Sequence, residues 1–168
     1  APVKNVFACL VHENEDCVVD LVRNLHYHEP GATIILYNGG GNSGLLKDRW
    51  LFEKFGAVVY PSPRPVKHGY LHDFAFSCMQ YAVDSLSFDT FTIVDSDQLL
   101  IRGGYSSYLA EYLHNRPGVG MLSSAPARVY PNDRHNYVAL QAFKEIDLWK
   151  PLLQAFPEGE EKFVHWTF

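Results

Sequence analysis

With 168 residues, 47% of them hydrophobic and 20% charged, the chain is long enough to bury roughly 70% of its unfolded surface around one core. A formal net charge of -5 gives no support for nucleic-acid binding driven by phosphate neutralisation, and no polybasic arm or acidic tail stands out. No run of about 18 apolar residues is present to span a bilayer, and no segment reads as a signal peptide.

Cys9, Cys17 and Cys78 make neither an even disulfide framework nor a C-x-x-C pair, and there is no N-x-S/T sequon. That usage points to a reducing, cytoplasmic setting. The chain stops at "KFVHWTF" in mid-pattern, as a fragment of a longer protein does, and a membrane anchor in such a parent is compatible with this reading.

In chain order, "NVFACLV" (Asn5–Val11) is a continuous apolar run suited to a strand buried on both faces. A helix follows: Asn14 caps it, Glu15 and Asp16 suit its positive end, and Val18, Leu21, Val22 and Leu25 form one stripe. Pro30-Gly31 ends it. "ATIILYNGGG" predicts a second buried strand entering a glycine turn. Leu45 to Phe55 predicts a helix with Gly56 as its C-terminal cap, and "AVVY" (Ala57–Tyr60) a third strand closed by "PSPRP".

Leu71, Phe74, Ala75, Cys78, Met79 and Ala82 keep three-four spacing and predict the next helix. "TFTIV" is the fourth strand, Tyr105 to Leu113 a further helix, and "GVGML" (Gly118–Leu122) a fifth strand. A helix is expected from Asn136 to Trp149, and Pro151 opens a short turn. Alternating strands and helices predict an α/β fold, a mainly parallel sheet with helices on both faces. No repeat or linker divides the chain, so residues 1–168 read as a single domain. Ligands of such sheets bind beyond the carboxyl ends of the strands. Polar residues collect there at His12–Asn14, Asn38–Gly41 and Asp95–Asp97.

"FTIVDSDQLLI" (Phe91–Ile101) sets two acids one residue apart at the end of an apolar strand. On an extended backbone, i and i+2 project to one side, which would bring the Asp95 and Asp97 carboxylates together and call for a cation between them. Mn²⁺ or Mg²⁺, hard ions that take one or two carboxylates plus phosphate oxygens and water, suit that pair. The competing reading is structural: Asp95 caps a turn and Asp97 is solvated.

"FTIVDSDQLLIRGGYSSYL" resembles the D-x-D segment of GT-A fold glycosyltransferases, and the order of elements before it is similar. The resemblance spans residues 5–122 and is motif-level only at Asp95–Asp97. It implies metal-dependent transfer of a sugar from a nucleotide-diphosphate sugar, a UDP-sugar foremost, to a saccharide or other hydroxyl acceptor, with residues 123–168 as the acceptor side. It further implies that His12, Glu13 and Asn14, with Asn38 and Gly39, hold base and ribose, that Asp95 reaches the ribose, and that Asp97 binds the metal. Many members carry an acid where Asn38 stands, a departure that weighs against uracil specificity.

For the diphosphate, "PSPRPVKHGYLHD" offers Arg64, Lys67 and His68 in a proline-stiffened loop before a helix start; the plain alternative is a surface turn. His68 and His72 are four apart but lack a third ligand and an H-E-x-x-H pattern. An inverting enzyme needs a late carboxylate as base. "FPEGEEKFVHWTF" offers Glu158, Glu160 and Glu161, of which Glu161, then Glu160, is the chosen base against a solvated-turn reading. Some members of the family complete the metal shell with a late histidine, a place His165 would take; inversion and retention stay open. Trp149, Trp166, Tyr130 and Tyr137 are candidates to stack on acceptor, although most aromatics are core.

A haloacid-dehalogenase type phosphatase also ends a strand in D-x-D, but Leu99 stands where Thr or Val belongs. A nucleotidyltransferase would show a basic glycine-rich loop after the first strand, where "VHENED" stands. The competing class is a binding module: a domain of the same fold that holds a nucleotide-sugar or carbohydrate without turnover.

Overall fold

The computed structural model describes residues 3–66 and 71–122, together with Gln154. Eight elements follow in order: β1 (Asn5–Val11), α1 (Glu15–His28), β2 (Thr33–Asn38), α2 (Trp50–Glu53), β3 (Ala57–Val59), α3 (Leu71–Ser85), β4 (Thr90–Asp95) and α4 (Tyr105–His114). Among the described residues the strands form one four-stranded sheet in the order β3-β2-β1-β4, and every pairing is parallel. The fold is α/β, as the alternation of elements implies.

Two core layers follow from the period of two along a strand. Phe7, Cys9 and Val11 of β1 face the α1 stripe Val18, Leu21, Val22 and Leu25, with Ile34, Leu36 and Phe52 completing that layer. Val6, Ala8 and Leu10 turn the other way, to Phe74, Cys78 and Ala82 of α3 and to Ile35 and Tyr37. All seven residues of β1 are buried. A strand sandwiched between helices has no polar face, hence the unbroken apolar run.

Asn14 caps α1 as its sequence suggests, its side-chain oxygen accepting the Asp16 N–H, and His26 and His28 lie in the last turn. Gly56 closes the segment after α2 with φ +75°, a left-handed conformation that suits glycine. Cys9, Cys17 and Cys78 are all free thiols.

Three expectations are corrected. The helix foreseen over Leu45–Phe55 contracts to Trp50–Glu53. Before it the chain runs in successive turns, Leu45 N–H donating to Asn42 O and Lys47 N–H to Gly44 O, because Asn42 and Gly44 supply turn chemistry while Leu45 and Leu46 are still buried. The strand foreseen over Gly118–Leu122 is absent; its two glycines bring no side chain to bury, and Met121 is 86% exposed. On α3 the core stripe is narrower than its spacing suggests, for Leu71 and Met79 are exposed.

The chain divides into two compact units, Ala1–Gly118 and Val119–Phe168; all eight elements belong to the first. The helix expected over Asn136–Trp149 and the turn at Pro151 lie outside the described residues. No described helix is long and apolar enough to cross a membrane.

Candidate functional site

The strand order creates the site. From β1 the chain steps outward to β2 and β3, then returns to place β4 on the opposite side of β1. α1 and Phe52 of α2 cover one face and α3 the other. β1 and β4 are thus neighbours at the switch point of the strand order, outside whose carboxyl ends open α/β sheets bind ligands, and the segments leaving both run to the α1 face, where Leu100 and Tyr105 pack. Register puts Asp95 opposite Leu10, Leu10 opposite Tyr37, and Val11 opposite Asn38. The segments beginning at His12, Gly39 and Ser96 thus emerge from adjacent strands at nearly one level, about 4.8 Å apart per strand.

Backbone contacts knit this rim. Gly39 N–H donates to Val11 O at 2.8 Å, and Val66 N–H donates to Gly39 O at 2.8 Å, so the loop after β3 reaches across to the turn after β2. A Cβ on Gly39 would lie 2.5 Å from Leu10 Cδ1, and one on Gly40 would lie 2.5 Å from the His12 carbonyl oxygen. Proximity requires glycine at position 40, where the neighbours are backbone; at position 39 the Leu10 side chain would have to shift. Tyr37 ties the same loop from below: its hydroxyl accepts the Arg64 N–H at 2.9 Å and donates to Arg64 O at 3.4 Å. Burial pushes that phenol above its ordinary value, while the bond from the Arg64 backbone pulls it down less strongly.

The acidic motif departs from the geometry its spacing suggests. β4 ends at Asp95. Gln98 N–H then donates to Asp95 O at 3.1 Å, and Gln98 Oε1 accepts the Asp95 N–H at 2.9 Å. Ser96 and Asp97 are therefore the central residues of a reciprocally bonded turn, and the rule that i and i+2 share a strand face does not reach Asp97. Both aspartates are exposed, and no ion pair among the described residues engages either carboxylate. Two exposed carboxylates at a strand end are oxygen donors of the kind that hard divalent cations take. No group of three or more His, Cys, Asp or Glu that could hold a metal occurs among the described residues.

The neighbouring candidates differ in how free they are. His12 Nδ1 lies 3.5 Å from Glu13 Oε1, both side chains well exposed. Asn14 is committed to capping α1. Asn38 is only 9% exposed, and its amide is spent on its own turn: Nδ2 donates to Asn42 O at 2.7 Å, and Oδ1 accepts the Gly40 N–H at 3.1 Å. Arg64 pairs with Asp73 in the first turn of α3, so an anion arriving there competes with that carboxylate. Lys67, His68, Glu158, Glu160, Glu161, His165, Tyr130, Tyr137, Trp149 and Trp166 lie outside the described residues.

The structure thus brings His12, Glu13, Asn14, Asn38, Asp95 and Asp97 to one edge of the sheet. It adds residues that the sequence reading passed over. Gln98 closes the acidic turn, Gly40 sets the approach to His12, and Asn24 reaches the same loop from the middle of α1. Only Asn24 carried a signal, an asparagine inside a helix where it is a poor helix former. Compared with protein-family models, curated proteins and solved structures, the chain matches none.

Proposed function

We propose that the chain is a metal-dependent glycosyltransferase with GT-A-like architecture, moving a sugar from a nucleotide-diphosphate sugar to an acceptor hydroxyl. The observation that carries this reading is the position of the acid pair. Asp95 ends and Asp97 follows the strand placed on the far side of β1, next to the strand that leads to His12, at the switch point where this class of sheet takes its ligands.

In this reading Asp97 and Asp95 hold Mn²⁺ or Mg²⁺. The ion, when bound, supplies positive charge against the diphosphate as it leaves. His12, Glu13 and the backbone around Asn14 and Gly39 line the base and ribose. Arg64, with Lys67 and His68, meets the phosphates, Arg64 exchanging Asp73 for the ligand. The family resemblance would give Glu161, then Glu160, the role of taking the acceptor proton, and His165 that of a late metal ligand.

A thermal-shift screen of nucleoside diphosphates with Mn²⁺ and Mg²⁺ tests the reading, because a ligand of the folded state raises its melting temperature by mass action. At a free ligand concentration of 100 times Kd the stabilisation is about 2.7 kcal/mol. Mn²⁺-dependent hydrolysis or transfer of a nucleotide-sugar, lost in Asp97→Ala, is the expected result. A shift without any turnover would assign a binding module instead. No shift with any nucleoside diphosphate and either metal would end the proposal.

A further inference from the structure

We infer that Asn24 is a positioning residue for the acidic turn, clamping the loop that carries Asp95 and Asp97 to helix α1. Its side-chain Nδ2 donates to Leu100 O at 2.9 Å, and its Oδ1 accepts the Leu100 N–H at 2.8 Å. One amide thus satisfies both backbone groups of a residue 76 positions away, as a neighbouring strand would. Both partners are partly buried, where such bonds compete less with water.

The clamp acts where it matters. Leu100 lies two residues beyond Gln98, whose reciprocal bonds with Asp95 close the turn. Leu100 also packs on the α1-side core. Further along, Gly103 comes so close to α1 that a Cβ there would sit 3.2 Å from His28 O, and Gly104 starts α4 with φ +91°. The loop from Asp95 to Gly104 is therefore held at its strand end, by Asn24 in its middle, and by the α1 terminus near its end. An asparagine within α1 gives up helix propensity, and the bidentate bond is what it gains. Asn14 caps the start of the same helix, where the chain from β1 enters it. The Asn24 bonds thus order the acidic turn before a ligand arrives, which lowers the cost of binding.

This inference rests on the proposed metal role of the acid pair for its functional consequence, and its test separates the two. Asn24→Ala removes both bonds; Asn24→Asp keeps the shape and the acceptor but sets a carboxylate against Leu100 O. Ile35→Val, in the opposite core layer, is the control for general loss of stability. Backbone order parameters of Asp97 and Gln98 are expected near 0.85 in the wild type, roughly that of rigid backbone, and to drop to about 0.6 or lower in both Asn24 variants. Mn²⁺ affinity, titrated by the free-ion resonance signal with and without UDP, is expected to weaken by about tenfold. Ile35→Val changes neither reading. Unchanged order parameters overturn the clamp, and a mobile turn with unchanged Mn²⁺ affinity overturns its positioning role. A wild type that binds no Mn²⁺, while its Asn24 variants loosen the turn, sinks the glycosyltransferase reading and leaves the clamp standing.

Discussion

Replacing Gly40 with alanine tests whether the rim at the carboxyl ends of β1 and β2 is built by close backbone approach. The added Cβ would meet His12 O at 2.5 Å, His12 Cα at 3.0 Å and His12 C at 3.1 Å. All three are backbone atoms, so no side chain can swing aside; the turn after β2 and the loop after β1 must separate. Both are anchored, by Gly39 N–H on Val11 O and by the Asn38 amide, so the shift strains bonded geometry. Overpacking of this kind costs about 1–3 kcal/mol. Restricting the unfolded chain by Gly→Ala returns about 0.4–1 kcal/mol, leaving a net loss of at most about 2.6 kcal/mol and about 1.3 kcal/mol at mid-range. With a urea m-value of about 2 kcal/mol/M, the mid-range loss lowers the midpoint by about 0.7 M. Gly41→Ala is the control, since a Cβ there meets nothing within 4 Å and its change should stay within about 0.5 kcal/mol. Equal midpoints for Gly40→Ala and Gly41→Ala would show that the His12 loop yields freely and that proximity does not shape the rim.

Phe52 is 0% exposed although α2 is a single turn; Phe52→Ala should lose about 3–5 kcal/mol in urea unfolding, and a loss under 1 kcal/mol would mean that this segment is not part of the core. Cys9 and Cys78 are buried while Cys17 is exposed, and burial raises both buried thiols, Cys78 to about 12. An aromatic disulfide reagent should therefore titrate one thiol rapidly in the native chain and three after denaturation, and rapid native labelling of Cys78 would contradict the packing of α3. Burial lowers the imidazole pKa of His72 below 6.5, so the unfolded chain binds its proton first as pH falls. The stability tied to the neutral ring is complete above pH 6.5 and declines below it towards the folded value. Urea midpoints at pH 7.5 and pH 5.5 should differ less in His72→Gln than in the wild type; an unchanged difference would remove His72 from the acid sensitivity.

The reasons for the corrected elements are local chemistry and missing partners. Leu45, Leu46 and Phe52 are buried as a helix over that stretch would have them, yet Asn42 and Gly44 offer the backbone turn bonds that compete with helix. Ser96 and Asp97 were legible as polar and unpaired with a core, but the turn depended on Gln98 returning its side chain to Asp95 N–H. A spacing rule that holds on a strand fails one residue past its end.

Periodicity and capping are short-range, so the chain alone determined β1, α1, β2, β3, α3, β4 and α4, the burial of the α1 stripe, the cap at Asn14 and the parallel class of the sheet. It also marked the polar strand ends, because a carboxylate after an apolar run conflicts with burial wherever it sits. Tertiary structure decided the rest. Which strand edges pair is a choice between surfaces of similar hydrophobicity far apart in sequence, and it placed β4 beside β1, setting Asp95 at the switch point of the strand order. It likewise committed Arg64 to Asp73 and brought Asn24 to Leu100. Side-chain partners across such distances are set by where packed layers bring them, which no local pattern of residues encodes.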